Sequence, residues 1–386
     1  MLKQLSTKLM MLALLVLMTT LSPISGQADP VLTDLRFFLS YIPNIQFSPV
    51  YVAGAKGYFA DEGFNLIVEN GDEPVGVEQI AVGDIPVGMV SGEQVILARS
   101  NDRPVVYTYQ WFNKYPIAVV IPNTTPATTL VELKGLKVGI PGRFGASYSG
   151  LVAMLSANDL TENDIQVESI GFNAPDVVCV GAVDAAVVYI NNEPLQLQQR
   201  AATGNCGAIT DFTVIPVADT ANMVSNGLVT NEELVANNPE MVAGIIRAFD
   251  LGLRDTINNP AEAYLLSQAY VENLPLSDEF KVALETEAAK QTEFLATEPD
   301  REAIAATRAT LWETLEASFG ADDLVQFEVL LATIDLWDTD QLGITDEANW
   351  QLTQDVLIQL DVIAEPIDLT LAFTNEFVPT PEAASE

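Results

Sequence analysis

The sequence predicts an α/β protein of two lobes with parallel-rich sheets, followed by a helical C-terminal extension. Between residues 34 and 217, short apolar runs alternate with helix-like segments. This alternation is typical of parallel strands covered by helices. After residue 230 the pattern becomes helical as far as about residue 363, with cap-like starts at 231–233 and 258–262.

The first lobe is predicted to begin with a series of alternating elements. Strands are expected at 35–39, 65–68, 85–90 and 105–109, and helices at 49–56, 75–82 and 93–99. The pattern then passes through the short apolar segment 117–121 and restarts. We interpret this segment as a crossing into the second lobe.

The second lobe is predicted from a similar series, which ends at a second crossing near 213–217. Two crossings imply that the second lobe is inserted into the first, with a two-segment hinge between them. Strands are expected at 137–140, 166–170 and 185–190, and helices at 130–134, 147–158, 175–180 and 193–200. The predicted divisions are 29–121 (first lobe), 122–212 (second lobe), 213–378 (completion of the first lobe and C-terminal helices) and 379–386 (disordered tail).

Residues 1–28 predict an export signal. Lys3 and Lys8 precede the apolar run 10–18, which is too short to span a bilayer. Small residues at 26 and 28 favour cleavage after Ala28; an uncleaved membrane anchor is the alternative. No cysteine follows the apolar run, so a lipoprotein anchor is not expected. We therefore expect an exported protein, periplasmic or at the cell surface.

Composition excludes several classes of function. The chain has 17 basic and 53 acidic residues, a net charge of −36, which disfavours nucleic acid and anionic lipid as partners. It has no histidine, which removes the usual general base and the imidazole metal ligand. We expect no cofactor, no metal site and no enzyme activity. The two cysteines, Cys179 and Cys206, either form a disulfide in an oxidising compartment or remain buried thiols.

Candidate binding residues lie at strand-to-helix junctions, because ligands of parallel α/β sheets bind beyond the carboxyl ends of the strands. At the first junction, Asn44 and Gln46 offer amides, and Tyr41 and Phe47 offer flat rings. The alternative for Phe47 is a core position, and for Asn44 a turn. Ser48 then predicts a helix cap.

Four further junctions complete the predicted site. Glu93 either contacts the ligand or only favours its helix start. In the stretch 107–112, strand alternation puts residues 107, 109 and 111 on one face, and we expect 109 and 111 to face the cleft. The remaining candidates come from a Gly-rich loop and from the junction 189–194. The candidates at these four junctions are Glu93, Tyr109, Trp111, Arg143, Phe144, Ser147, Tyr148, Tyr189, Asn191 and Glu193. Amides and rings on two facing lobes suit a planar, mostly uncharged molecule.

Six segments resemble one family: PNIQFSPVYVAGAKGYFADEGF (43–64), VGDIPVGMVSGEQVILAR (82–99), LKGLKVGIPGRFGASYSG (133–150), ESIGFN (168–173), VGAVDAAVVYINNEPLQLQ (180–198) and LAFTNEFV (371–378). The chain is similar to solute-binding proteins of ABC importers in the SsuA/THI5-like (NMT1) family, in the branch that binds thiamine pyrimidines and riboflavin. The resemblance implies a type II periplasmic-binding fold that closes over one ligand and delivers it to a permease. It also implies that Glu193 pairs with an amino or imino group of the ligand.

The resemblance leaves the ligand open between riboflavin and a thiamine-type aminopyrimidine. A sulfonate, taurine or nitrate-like anion is a weaker alternative, because of the net charge and the aromatic candidates. Fungal-type pyrimidine synthases of the same family consume a histidine and carry a cysteine-rich iron motif, and this chain has neither. A carboxylate-based enzyme or a sensor domain is the alternative of another class. A monomer is expected.

Overall fold

The computed structural model describes residues 32–220 and 222–380. Within this part, ten strands form two five-stranded sheets. The predicted export signal and all but two residues of the predicted tail lie outside the described residues. The strands are β1 (Thr33–Leu39), β2 (Phe64–Asn70), β3 (Val87–Ser91), β4 (Val105–Gln110), β5 (Ile117–Pro122), β6 (Lys137–Ile140), β7 (Gln166–Ser169), β8 (Ala185–Tyr189), β9 (Phe212–Pro216) and β10 (Asn226–Asn231).

The two sheets have the same arrangement. The first sheet has the order β2-β1-β3-β10-β4, and the second sheet has the order β7-β6-β8-β5-β9. In the first sheet β1 runs parallel to β2 and β3, whereas β10 is antiparallel to both β3 and β4. In the second sheet β6 runs parallel to β7 and β8, and β5 is antiparallel to β8 and β9. The predicted α/β class with parallel-rich sheets is therefore confirmed.

Helices cover both sheets and make up most of the C-terminal region. Proline in the first turn of several of them fixes φ where no backbone donor is needed, for example after Ser48 and after Glu193. The helices are α1 (Ser48–Ala55), α2 (Tyr58–Asp61), α3 (Glu73–Ala81), α4 (Gly92–Ser100), α5 (Gly145–Ala157), α6 (Ala174–Cys179), α7 (Glu193–Ala202), α8 (Glu232–Asn237), α9 (Pro239–Asn258), α10 (Pro260–Ser267), α11 (Asp278–Leu295), α12 (Arg301–Glu316), α13 (Ala321–Trp337) and α14 (Glu347–Gln359).

The predicted crossings differ from the structure. Both segments, 117–121 and 213–217, fall mainly in strands β5 and β9, which belong to the second sheet and pair with each other. The predicted divisions after residues 121 and 212 therefore fall inside strands. The reason is that β5 is buried along its whole length, so its continuous apolar run is that of a central strand. The chain enters the second sheet after Phe112 and leaves it after Pro216.

Each sheet of the described part has a core on both faces. Phe37 belongs to the core under α1 and α9, and Phe38, its neighbour in β1, belongs to the core under α3, α4 and α14. This is the alternation expected of a buried strand. Helices α11 to α13 extend the first of these cores through Phe280, Leu315 and Trp337. No helix of the described residues has both the length and the apolar character needed to cross a bilayer.

A disulfide joins Cys179 at the end of α6 to Cys206 beyond α7. The two cysteines are 27 positions apart in sequence, and the segment between them contains β8 and α7. Cys206 is fully buried, in the core that also holds Val178 and Leu197. The structure therefore contains the disulfide alternative rather than two free thiols.

Candidate functional site

A cavity lies between the two sheets, at the ends of strands from both. One wall belongs to the first sheet and the segments that follow its strands, and the other wall belongs to the second sheet, α5 and α7. The first wall includes Ser40, Tyr41, Gln46, Phe47, Glu73 and Phe112. The second wall includes Phe144, Gly145, Ala146, Ser147, Phe172, Tyr189 and Glu193.

Tyr41 and Glu193 connect the two walls. The Tyr41 hydroxyl donates a hydrogen bond of 3.1 Å to Glu193 Oε1, and the Tyr189 N–H donates one of 2.9 Å to Glu193 Oε2. The Tyr41 ring also meets the edge of the Phe172 ring, with centroids 4.8 Å apart. Burial raises the pKa of Glu193, although hydrogen bonds from Tyr189 and Tyr41 oppose this rise. The site thus places a carboxylate acceptor beside two aromatic rings.

Gln46 is held in place by side chains outside the cavity lining. Its backbone N–H donates to Asn44 Oδ1 at 3.0 Å, which caps the short 3-10 turn Ile45–Phe47. Its side-chain Oε1 accepts from Asn191 Nδ2 at 2.7 Å, and the same Nδ2 lies 2.8 Å from Thr333 Oγ1 in α13. Asn44 and Asn191 are therefore buried residues that position Gln46.

Glu73 is a cavity residue that the sequence argument missed. It is the first residue of α3, and its Oε1 accepts from the Ser91 N–H at 2.6 Å and from Ser91 Oγ at 2.7 Å. Burial raises its pKa, and hydrogen bonds from Ser91 and from the Ala146 N–H oppose this rise. The signal was present in the sequence, because Glu73-Pro74 follows a strand in the same way as Glu193-Pro194 does.

Glu93 lies behind the cavity rather than in its lining. Its side chain has no exposed surface, and within the described residues neither of its carboxylate oxygens has a hydrogen-bond partner. Burial, with a smaller contribution from the charge of Glu73, raises its pKa to about 8. Burial of this kind favours the neutral form of an acid, and the more so beside a second carboxylate such as Glu73.

Tyr109 and Trp111 are core residues, and the expectation that they face the cleft is wrong. Both have no exposed surface; the Tyr109 hydroxyl donates to Asp250 Oδ1 at 2.7 Å, and Trp111 packs against Phe249 with centroids 4.7 Å apart. The next residue, Phe112, lines the cavity instead. Expected alternation also fails upstream, because a register shift between β4 and β10 puts Tyr107 in the opposite core from Tyr109.

Arg143 and Tyr148 point to the outside of the cavity. Arg143 Nε lies 3.4 Å from Glu162 Oε1, with about half of its side chain exposed, and Tyr148 lies beside the same Glu162. Of the described residues, no lysine or arginine lines the cavity, and its charged residues are Glu73 and Glu193. No cluster of three or more metal-ligating side chains occurs among the described residues.

Half of the predicted candidates line the cavity. Phe172 and Ser40 were not predicted, although Phe172 belongs to the segment ESIGFN and Ser40 Oγ is a buried atom without a partner in the described part of the chain. The candidates in the lining are Tyr41, Gln46, Phe47, Phe144, Ser147, Tyr189 and Glu193. The candidates outside it are Asn44, Glu93, Tyr109, Trp111, Arg143, Tyr148 and Asn191.

Two sheets with the same strand arrangement enclose a cavity lined by aromatic rings and carboxylates, as in small-molecule binding proteins of the periplasmic type. The chain belongs to the NMT1/THI5-like family, whose model matches residues 44–263. It is 32% identical to the riboflavin-binding protein RibY of Chloroflexus aurantiacus, over 91% of this chain and 88% of the relative. It is 29% identical to the formylaminopyrimidine-binding protein of Halalkalibacterium halodurans, over 65% of this chain and 75% of the relative.

Other relatives have a different activity in their names. The 4-amino-5-hydroxymethyl-2-methylpyrimidine phosphate synthase of Legionella pneumophila is 24% identical, over 61% of this chain and 73% of the relative. Among solved structures, the aliphatic sulphonate-binding protein SsuA of Escherichia coli has a TM-score of 0.57 at 15% identity, covering 87% of this chain and 96% of that one. A ligand-binding component of an ABC-type importer from Staphylococcus aureus has a TM-score of 0.59 at 8% identity, with coverages of 92% and 100%. These similarities confirm the periplasmic-binding fold.

Proposed function

We propose that this chain is the extracytoplasmic solute-binding protein of an ABC importer and that its ligand is riboflavin. The longer and stronger of the two binding-protein similarities supports this ligand, since it spans 91% of the chain against 65% for the pyrimidine binder. An export signal at residues 1–28 is part of the same proposal. Delivery then requires a membrane permease as partner, and the binding protein itself acts as a monomer.

One observation of the site carries the proposal. Rings from both walls meet across the cavity at Tyr41 and Phe172, and Phe47, Phe112 and Phe144 add further apolar surface. A flat heterocycle can replace the edge contact between these two rings with stacking on each of them. Gln46 and Glu193 then lie where they can bond to the heteroatoms of its edge.

A thiamine-type aminopyrimidine is the second candidate ligand. Two buried carboxylates in the lining, Glu73 and Glu193, favour it, because an aminopyrimidine presents amino and ring-nitrogen donors when protonated. The similarity to a formylaminopyrimidine-binding protein also supports it. The same carboxylates disfavour sulfonates and nitrate.

Binding without turnover is the proposed activity, despite the relatives that are named synthases. The lack of histidine in the chain supports this, because the synthases of the family consume one. Incubation of the protein with either vitamin compound should return the compound chemically unchanged.

The experiment is a direct binding measurement on the purified chain. Riboflavin fluorescence should be quenched on titration with the protein, and the visible absorbance of a co-purified flavin should show at once. Ligand at about 100 times its Kd should add about 2.7 kcal/mol of stability in a thermal shift. If formylaminopyrimidine alone raised the unfolding temperature, the aminopyrimidine would replace riboflavin as the proposed ligand. If taurine alone raised it, both proposed ligands would be rejected.

A further inference from the structure

We infer that Glu73 is a built-in anion that excludes phosphorylated and sulfonated ligands from the cavity. For flavins the inference rests on the proposed function, and it adds a specificity: the neutral vitamin is accepted and its phosphate ester is rejected. Glu73 belongs to the first wall, and its carboxylate reaches to the start of α5 in the second wall.

The carboxylate of Glu73 lies between the starts of two helices. Its Oε1 accepts the N–H and the hydroxyl of Ser91, immediately before α4. Its Oε2 faces the backbone of Gly145 and Ala146, where α5 begins. Backbone N–H groups at a helix start are the groups that bind phosphate and sulfate oxygens in proteins. Glu73 therefore fills, from within the chain, the position that an anionic ligand would take.

Gly145 makes room for this contact. A Cβ built at residue 145 would lie 2.5 Å from Glu73 Oε2, so any larger residue would displace the carboxylate. Gly145 also has a φ of +65°, in the left-handed region that glycine adopts without strain. Its conformation and its missing side chain thus both serve the approach of Glu73 to α5.

The other charged residue of the lining also disfavours anionic ligands. Glu193 is the second carboxylate of the lining, and no lysine or arginine of the described residues lines the cavity. Arg143 lies two residues before Gly145 in sequence, but its side chain is directed to Glu162, outside the cavity. A phosphate brought into this cavity would meet like charge in a poorly hydrated space, where repulsion is strong.

The decisive measurement compares riboflavin with its phosphate ester, flavin mononucleotide, on the wild-type chain. The two have the same ring system and differ in the charge at the end of the side chain. We expect the ester to bind at least about tenfold more weakly. Equal affinities would overturn the inference and leave the proposed function intact.

Glu73→Gln and Glu73→Ala test the residue itself. Gln keeps the size of the side chain without its charge, and Ala vacates the helix start. Both should narrow the preference for riboflavin over its phosphate ester several-fold. The matched control is Glu78→Gln, an exposed position of the same helix α3, where the preference should stay unchanged. A preference unchanged in both Glu73 variants would refute the role of Glu73.

Small anions test the exclusion of anionic ligands without a flavin. Inorganic phosphate and methanesulfonate should stabilise Glu73→Ala in a thermal shift and leave the wild type unaffected. If the variant does not fold, the wild type alone decides, since anion stabilisation of the wild type would overturn the inference. If the wild type binds neither riboflavin nor a small anion, the riboflavin proposal is rejected. The exclusion of anions by Glu73 is supported by the same result.

Discussion

The Tyr41 hydroxyl donates a hydrogen bond to Glu193 Oε1 across the cavity, and this bond ties the first sheet to the start of α7. Tyr41 comes directly from the segment after β1, and Glu193 is the first residue of its helix. The two residues are 152 positions apart in sequence. A ligand that enters the cavity must contact or replace this bond, so the pair is the first place to test binding.

Tyr41→Phe should weaken ligand binding by about 1 kcal/mol, or roughly fivefold, because it removes one hydrogen bond and leaves the ring in place. Fluorescence titration measures this change. Tyr58→Phe is the matched control, since its hydroxyl bonds to Asp255 and it does not line the cavity. An affinity unchanged in Tyr41→Phe would place the Tyr41 hydroxyl outside the binding contacts.

Phe172→Ala should weaken binding by about 1–3 kcal/mol, because the ligand loses one aromatic wall. The ring is only partly buried in this structure, so the unfolding midpoint should change little. Phe294→Ala removes another partly buried ring, on α11 and away from the cavity, and should leave the affinity unchanged. Equal losses of affinity in the two variants would argue against a stacking role for Phe172.

Trp111→Ala should cost about 3–5 kcal/mol of folding stability, because it empties a fully buried position among Phe249, Phe112 and Trp337. Denaturant unfolding measures this cost. Trp111→Phe keeps most of the ring and should cost less. A variant of normal stability that fails to bind ligand would contradict the core assignment and return Trp111 to the site.

The stability of the protein should fall as the pH rises from about 4.5 to about 8. Burial raises the pKa of Glu93 from 4.5 to about 8, so in this range the folded state holds a proton that the unfolded state has lost. Glu73 and Glu193 shift in the same direction. Glu93→Gln cannot ionise, so its stability relative to wild type should improve steadily towards pH 8.

Chemical denaturation of both proteins at several pH values in this range gives the comparison. Glu78→Gln controls for the loss of one carboxylate from an exposed position. If the free energy of unfolding changed equally with pH in the wild type and in Glu93→Gln, the structure's assignment of a bound proton to Glu93 would be contradicted.

The alternation of strands and helices was predictable because each element carries its own local pattern. The junctions 41–47 and 189–193 were also found from sequence, since rings and amides follow apolar runs there. Tyr109 and Trp111 were misplaced because helices far along the chain cover the face that they share. Tyr109 bonds to Asp250 of α9, and Trp111 packs on Phe249 of α9 and Trp337 of α13, all more than 100 residues further along the chain.

Glu73 shows the other limit of prediction from sequence. Its partner Ser91 ends strand β3 of the first sheet, and its partner α5 follows strand β6 of the second, so only the folded chain brings them together. An acid followed by proline after a strand is a common helix start, and this pattern alone does not separate a cavity residue from a surface one. The crossings were misassigned on similar grounds, because the pairing of β5 with β9 depends on strands nearly 100 residues apart.

The order of strands in the first sheet has a consequence for the time course of folding. Among the described strands, β4 pairs with β10 alone, which ends at Asn231, and its other edge bridges to the still later positions Gly343 and Phe373. All five strands of the second sheet lie earlier in the chain, between Ile117 and Pro216. A chain that is synthesised from its amino end can therefore complete the second sheet before the first. Strand β4 of the first sheet stays without its partner strand until β10, the last of the ten strands, has been made.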